Sequence, residues 1–283
     1  MARHSVQQSR VGGLLLPALV AALFFAGPVL GAEELAFNHT LGGVDWPYIP
    51  GLNASLCGTG TMQSPLNIIP GNTTTASTLT ALNLSYATNV SLLNVTNEGD
   101  VVELVISSGN NSVKLPPSIY STTNGSGLVL QQFHFHTPSE HMFDGIFYAA
   151  EMHFVHKDSV TGQQAVVAVL LKLDPTDTRN PDLDKFLPFT PNNYTGVQQA
   201  PANSTLNLTN LFPSNSSYWY YNGSLTTPPC TQNVLWLIFQ NPLTFSVSQL
   251  LTLEVANAGG DGARADNRLV QLLNSRTVSV FRG

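Results

Sequence analysis

Charged side chains are scarce in this sequence, and basic ones are the scarcest. Only 10% of the 283 residues are Asp, Glu, Lys or Arg, with 11 basic against 17 acidic residues and a formal net charge of −6. The sequence contains no run of Lys or Arg. Binding to nucleic acid or to an anionic membrane surface needs such a cluster, so we exclude both as functions.

Long apolar runs are absent except at the N-terminus. The run from Val11 to Leu30 follows Arg3 and Arg10, is broken by Gly and Pro, and ends in small residues. This pattern is typical of a secretory signal peptide and fits a single membrane anchor less well. We expect residues 1–32 to be removed, leaving residues 33–283 as one secreted, extracellular or cell-wall-associated domain without a membrane segment.

Cysteine is nearly absent. Cys57 and Cys230 are the two in the chain. In an exported protein one pair favours a disulfide bond over two buried free thiols. Such a bond would close a loop of more than 100 residues and contribute ~4–5 kcal/mol in the chain-entropy model.

Asparagine, serine and threonine are abundant where charges are few. Thirteen Asn-X-Ser/Thr sequons occur, at Asn38, Asn53, Asn72, Asn83, Asn89, Asn94, Asn110, Asn124, Asn193, Asn203, Asn207, Asn215 and Asn222. In a secreted chain, N-linked glycans on some of them would supply the solubility that charges do not.

Apolar segments of strand length recur along the chain, bounded by Gly, Asn and Ser. Val101 to Ile106 is one example, and Ala165 to Leu173 and Val234 to Gln240 read as strands buried on both faces. Ser248 to Ala256 has helical spacing. Because no βαβ rhythm occurs, we predict an α+β, mainly β fold: one domain built on a large, twisted, mostly antiparallel central sheet with short peripheral helices.

Three histidines lie at matching positions on two predicted neighbouring strands. Alternation places His134 and His136 on one face of the first strand, and His153 on one face of the second. Gln132 and Glu151 share those faces and can accept hydrogen bonds from the second ring nitrogens. Three converging imidazoles with an open fourth position predict a catalytic zinc site.

A second interpretation of the same residues involves Glu140. His134, His136 and Glu140 also match the first metal motif of cupins, in which the glutamate would be a ligand to iron or manganese. These residues alone leave both metal sites open.

The rest of the chain resembles the α-class carbonic anhydrases over about residues 37–281. Six segments match the family's signatures in order and spacing: Gln63–Ile68, Gln132–His136, Ser139–His141, Tyr148–His153, Ser224–Pro229 and Asn267–Arg276. The resemblance implies reversible hydration of carbon dioxide to bicarbonate by zinc-bound hydroxide, and therefore a lyase with Zn²⁺ as its cofactor.

The resemblance also implies a role for particular residues. His134, His136 and His153 would bind zinc, while Thr226 would receive a hydrogen bond from the hydroxide and donate one to Glu140. An apolar wall for carbon dioxide and an anion contact would come from Val155, Val166, Leu225, Trp236 and Thr227. Cys57 and Cys230 match the disulfide of extracellular members.

One position departs from the family. Fast members carry a proton-shuttle histidine in an Asn-X-Gly-His segment, where this chain has Asn97-Glu98-Gly99-Asp100. An aspartate with a reference pKa of ~3.9 is a poor proton carrier near pH 7. We therefore expect an active enzyme limited by proton transfer, with Asp100 at the shuttle position.

Two other functions are alternatives to this one. A catalytically silent carbonic-anhydrase-like binding or adhesion protein would have lost zinc-binding histidines, whereas this chain keeps all three with Thr226 and Glu140. A cupin-type metal oxidoreductase would bind iron or manganese instead of zinc.

Overall fold

Strands dominate the computed structural model, which describes residues 37–91, 94–97, 99, 101–106, 110–122, 127–191, 196–201, 204–257 and 265–283. Within these residues the strands are β1 (Asn67–Ile68), β2 (Thr74–Thr75), β3 (Asn83–Ser85), β4 (Val90–Ser91), β5 (Asn94–Asn97), β6 (Val102–Val105), β7 (Ser112–Lys114), β8 (Leu128–His136), β9 (Met142–Phe143), β10 (Ile146–Phe147), β11 (Ala150–Lys157), β12 (Gln164–Leu173), β13 (Gly196–Gln199), β14 (Thr205–Leu206), β15 (Tyr218–Ser224), β16 (Gln232–Phe239), β17 (Leu243–Phe245) and β18 (Ser279–Phe281). Residues 34–283 form one compact unit.

Helices are short and few in the described ranges. The α-helices are α1 (Ser55–Thr59) and α2 (Val247–Asn257). Single 3-10 turns span Trp46–Tyr48, Pro70–Asn72, Leu183–Lys185, Leu187–Phe189 and Leu208–Leu211. The helix predicted from Ser248 to Ala256 corresponds to α2, and Ser246 Oγ accepts the backbone N–H of Gln249 at its start, as an N-cap does. None of these helices has both the length and the apolar character needed to span a membrane.

The large sheet runs in the order β13-β5-β6-β8-β11-β12-β16-β15-β18-β2. Neighbouring strands are mostly antiparallel, but β12 and β16 in the middle are parallel, as are β18 and β2. The predicted mainly β fold with a large, mostly antiparallel sheet is confirmed. The parallel pairs were not predicted, because the sequence does not reveal which strands become neighbours across long separations.

Apolar side chains cover both faces of this sheet. Along β12, Val167 and Val169 pack into the larger core on one face, while Val166 and Ala168 pack with Trp236 in a smaller core on the other. This packing explains why β12 is apolar at nearly every position. The face with the smaller core also carries the candidate site.

Candidate metal centre

Three histidines converge where β8 and β11 lie side by side. The register pairs His153 with His134 and Glu151 with His136. Ring centroids are 5.0 Å apart for His134 and His136, 5.2 Å for His134 and His153, and 4.8 Å for His136 and His153. One nitrogen from each ring lies within 4.8 Å of the others. The convergence predicted from strand alternation is confirmed.

The second nitrogen of His134 and of His153 is held by the side chain predicted to hold it. His134 Nδ1 lies 2.8 Å from Gln132 Oε1, and His153 Nε2 lies 2.9 Å from Glu151 Oε1. Because each acceptor fixes a proton on the nitrogen that it contacts, the lone pair is left on the other nitrogen. His134 therefore offers Nε2, and His153 offers Nδ1.

The hydrogen-bond acceptor for His136 Nδ1 was not predicted from the sequence. Its Nδ1 lies 3.2 Å from the main-chain oxygen of Asp266, 130 positions along the chain, and 3.4 Å from the carboxylate of the same residue. His136 therefore offers Nε2 to the centre. No local pattern signals this contact, because a main-chain oxygen can belong to any residue type.

Two polar atoms at the centre are buried without a hydrogen-bond partner in the described chain: His136 Nε2 and Glu140 Oε2. They lie 3.7 Å apart. A buried polar atom left unpaired costs free energy. We therefore expect the pocket to bind a ligand that pairs with these two atoms. Three imidazole nitrogens aimed at one point fit Zn²⁺ with an open fourth position. Glu140 does not join the three-histidine group, in contrast to its role in the cupin interpretation.

Burial sets the protonation of two of the three rings. It lowers the pKa of His134, as do the neighbouring rings of His136 and His153, and burial also lowers the pKa of His153. Both rings are therefore neutral and have a free lone pair near pH 7.

The third ring behaves differently. Burial lowers the pKa of His136 too, but the carboxylates of Glu140 and Asp266 outweigh it and raise this pKa to about 10. A metal ion bound here would therefore have to displace a proton from His136.

Arg268 connects Glu140 to the N-terminal part of the fold. Its backbone N–H donates to Glu140 Oε1 at 3.0 Å. Its guanidinium donates to Gln63 Oε1 at 2.8 Å and to the main-chain oxygen of Cys57 at 2.9 Å, and lies 5.6 Å from the centroid of the Trp46 ring. One oxygen of Glu140 is thereby fixed, while the other faces the histidines.

A buried network holds Glu151 behind His153. His141 donates its backbone N–H to Glu151 Oε2 at 2.8 Å, and its Nδ1 lies 2.7 Å from Glu151 Oε1. His141 Nε2 lies 2.7 Å from the hydroxyl of Tyr221, which donates to Ser64 Oγ at 2.8 Å. Burial alone would raise the pKa of Glu151, but His141 and His153 lower it below the ordinary value, so the carboxylate stays ionised.

A cavity of about 330 Å³ opens over the histidines. It brings together the predicted apolar wall and the threonines, and its lining includes Val155, Val166, Leu225, Trp236, Thr226 and Thr227. Polar residues complete the rim. Gln132 and Glu103 line it, and so does Gln164 at the start of β12, which the sequence did not mark as a site residue.

The loop that carries the threonines is tied down by the predicted disulfide. Cys57 and Cys230 are bonded, which confirms that prediction. The backbone N–H of Cys230 donates to the main-chain oxygen of Thr227 at 2.9 Å. Gln63 Nε2 donates to the main-chain oxygen of Cys230 at 3.0 Å. The bridge therefore fixes the end of the loop that borders the cavity.

Asp100, at the predicted shuttle position, lies outside the described residues, as does Glu98 of the same segment. The shuttle prediction therefore stays a prediction. Residues 1–32, with the predicted signal peptide, are also outside the described ranges.

Comparison with known proteins gives one family. The model of the eukaryotic-type carbonic anhydrase family matches residues 44–282. Alpha carbonic anhydrase 7 of Arabidopsis thaliana is 35% identical over 228 residues, covering 80% of this chain and 77% of its own length. A carbonic anhydrase of Neisseria gonorrhoeae is 34% identical over 271 residues, covering 93% of this chain and 96% of its own.

Solved structures give the same result. The α-carbonic anhydrase of Thermovibrio ammonificans, determined in complex with the inhibitor sulfanilamide, superimposes with a TM-score of 0.73 at 31% identity. The match covers 86% of this chain and 98% of the other. Sequence and architecture therefore agree over nearly all of the described chain.

Proposed function

Because this chain belongs to the eukaryotic-type carbonic anhydrase family and is thus a carbonic anhydrase, a lyase, we propose that it hydrates carbon dioxide with a zinc ion held by His134, His136 and His153. One observation carries the proposal. Three imidazole nitrogens, one from each histidine, lie close together under a cavity with an apolar wall. The second nitrogen of each ring already contacts an acceptor, which fixes the orientation of the ring.

The donor set suits zinc. Zn²⁺ prefers nitrogen ligands in tetrahedral sites, and a three-histidine set leaves the fourth position for reaction. When bound, zinc lowers the pKa of a water molecule to about 7, the value known for carbonic anhydrases, and so supplies hydroxide at neutral pH.

Glu140 and Thr226 are proposed to orient the attacking oxygen. Glu140 Oε1 is occupied by the N–H of Arg268, whereas its Oε2 is buried and unpartnered. We assign Oε2 as the acceptor for the hydroxyl of Thr226, which lines the cavity. A hydroxyl has one proton, so a hydroxyl that donates to a carboxylate can only accept further hydrogen bonds. Thr226 would then accept a hydrogen bond from the oxygen held over the histidines, and this would fix the orientation of that oxygen.

The apolar wall is proposed to hold carbon dioxide. Val155, Val166, Leu225 and Trp236 present hydrocarbon surface to the cavity, which suits an uncharged substrate and excludes competing water. Thr227 lies at the same cavity and would contact the bicarbonate anion. The reaction forms one bond from oxygen to the carbon of carbon dioxide and releases one proton, which must reach solvent.

Export is the second part of the proposal. The apolar run of residues 11–30 supports a signal peptide over residues 1–32, with residues 33–283 as the mature secreted domain. A disulfide between Cys57 and Cys230 is the form expected in an oxidising compartment.

The test combines metal analysis with stopped-flow carbon dioxide hydration on the purified mature protein. We expect about one zinc per chain and activity that a sulfonamide inhibits. Thr226→Val should keep the zinc and lose about 100-fold in kcat/KM, because one oriented hydrogen bond in the transition state contributes on that order. The exposed Thr80→Val, which belongs to no sequon, is the matched control and should not change activity.

Three outcomes would overturn parts of this proposal. Bound zinc without carbon dioxide hydration would identify a catalytically silent binding protein. Bound iron or manganese would revive the cupin-type chemistry. Full activity in Thr226→Val would remove Thr226 and Glu140 from the mechanism.

A further inference from the structure

Sequons coincide with the margins of the sheets. Three of them lie in or just before a strand that pairs on one side: Asn72 before β2, Asn83 in β3 and Asn89 before β4. Within the described residues, β2 pairs with β18 alone, β3 with β7 alone and β4 with β14 alone. A fourth, Asn94, lies in β5, which is paired with β6 and with β13, the strand that ends the large sheet.

The strand geometry turns three of these asparagines outward. In the sequons of Asn83, Asn89 and Asn94 the middle residue is apolar and packs inward. Val90 is 1% exposed and Val95 is 0% exposed, while the middle residue of the first sequon, Leu84, packs against the larger core. Because neighbouring residues of a strand point to opposite faces, the asparagine beside each inward residue points to solvent. All three asparagines are exposed, as is Asn72.

These edges carry neither charge nor proline, although the strands are short. An edge strand with unpaired N–H and C=O groups is a template for association with another chain, and proteins commonly block it with Lys, Pro or an inward charge. β2 is Thr-Thr, β3 is Asn-Leu-Ser and β4 is Val-Ser, so none contains a charged residue or a proline. With only 10% charged residues in the whole chain, bulky glycans would add protection that charged side chains do not supply.

Asn222 provides a contrast within the same chain. It lies inside β15, paired with Leu235 of β16, and its Oδ1 is buried. Its main-chain oxygen accepts a hydrogen bond from Arg276 Nη1 at 3.2 Å, and its sequon partner Ser224 is 0% exposed. In the folded protein Asn222 is thus half-buried inside the sheet and its sequon serine is fully buried, unlike the exposed asparagines above.

We propose that Asn72, Asn83, Asn89 and Asn94 carry N-linked oligosaccharides that shield the sheet edges at or next to these residues from self-association, and that Asn222 carries none. The donor is an oligosaccharide linked to a polyprenyl diphosphate. The side-chain amide nitrogen of asparagine forms a bond to C1 of the first sugar, the C1–oxygen bond breaks, and the lipid diphosphate leaves while the amide loses one proton.

The proposal rests on the export part of the proposed function and is independent of the metal centre. None of the sequon asparagines in the described ranges lines the cavity. Removal of the glycans should therefore leave carbon dioxide hydration per monomer unchanged.

Site occupancy is measured on the full chain made in a eukaryotic secretory cell. A second version, with residues 1–32 replaced by a proven signal peptide, separates a failure of export from a failure of glycosylation. Enzymatic deglycosylation in heavy-oxygen water converts each occupied asparagine into a labelled aspartate that mass spectrometry locates. We expect label at Asn72, Asn83, Asn89 and Asn94 in the secreted protein. Label at Asn222, or its absence from those four sites when export succeeds, would overturn the assignment.

Shielding is tested by sedimentation of variants. Replacing Asn72, Asn83, Asn89 and Asn94 together with Gln should shift the protein from monomer to dimers and larger species. Ser85→Ala, which removes the glycan but keeps Asn83, should act in the same direction as Asn83→Gln. Asn53→Gln is the matched control, because Asn53 is exposed in a loop before α1 and borders no sheet edge. A quadruple variant that stays monomeric would overturn the shielding role.

Discussion

The carboxylate of Asp266 lies 3.4 Å from Nδ1 of His136, the same ring nitrogen that lies 3.2 Å from the main-chain oxygen of Asp266. Its Oδ1 accepts the backbone N–H of Thr137 at 2.6 Å, and its Oδ2 accepts Asn257 Nδ2 at 2.8 Å. The segment after α2 is thereby fastened to the end of β8. A third buried carboxylate, besides Glu140 and Glu151, thus lies close to the three histidines.

Replacing this carboxylate by an amide, Asp266→Asn, should weaken zinc binding. The amide removes the negative charge beside His136. It also cannot accept hydrogen bonds from both Thr137 N–H and Asn257 Nδ2, which loosens the segment whose main-chain oxygen holds the ring. Changes to groups that orient a metal-binding histidine cost about 10- to 100-fold in metal affinity. We expect zinc affinity, measured by competition with a chelator, to fall at least about 10-fold. The exposed Asp144→Asn is the control for the same chemical change, and equal zinc affinity in both variants would contradict the prediction.

His156 should make the stability of the fold sensitive to mild acid. It is fully buried, its Nε2 lies 2.7 Å from the hydroxyl of Tyr86, and burial lowers its pKa to about 4. The folded protein keeps this ring neutral, whereas the unfolded chain takes up a proton below pH 6.5. The contribution of the neutral His156 ring to the free energy of unfolding is therefore fully present above pH 6.5. It decreases by up to about 3 kcal/mol as the pH falls toward 4.

Urea unfolding of the zinc-loaded protein between pH 4 and 7 measures this loss, and His156→Gln should flatten the slope by the same amount. If that variant does not fold, the ring of His156 can be titrated by NMR in the native protein. A pKa near 6.5 in that titration would contradict the prediction.

Much of the metal centre could be read from the sequence because strand alternation is a local property. The matching positions of His134, Gln132, His153 and Glu151 needed only the assumption of two neighbouring strands. The contacts that were missed are long-range. Asp266 reaches His136 across 130 positions, and the hydroxyl of Tyr221 reaches His141 across 80. Only the folded sheet brings those segments together, so no local pattern marks them.

Removing the disulfide should lower stability substantially. Cys57 and Cys230 are 173 positions apart, and a loop of that length corresponds to about 5 kcal/mol in the chain-entropy model. The double variant Cys57→Ser and Cys230→Ser should lose about 2–5 kcal/mol in urea unfolding. Reductant should destabilise the wild type and leave the variant unchanged. A loss below about 1 kcal/mol would show that contacts such as those of Arg268 hold the segment without the bridge.

Turnover should depend on buffer. The proton leaves after bicarbonate has formed, so slow proton transfer limits kcat and leaves kcat/KM unchanged. Asp100 stands where the family's fast members have a histidine, and a carboxyl with a pKa of ~3.9 transfers protons poorly at pH 7. We expect imidazole to raise kcat, and Asp100→His to raise it on the order of 10-fold without added imidazole, since a matched proton carrier contributes at least that much. Asp100→Asn should change little, because the carboxyl is not the carrier. If kcat is independent of imidazole and Asp100→His brings no gain, another group of the chain carries the proton.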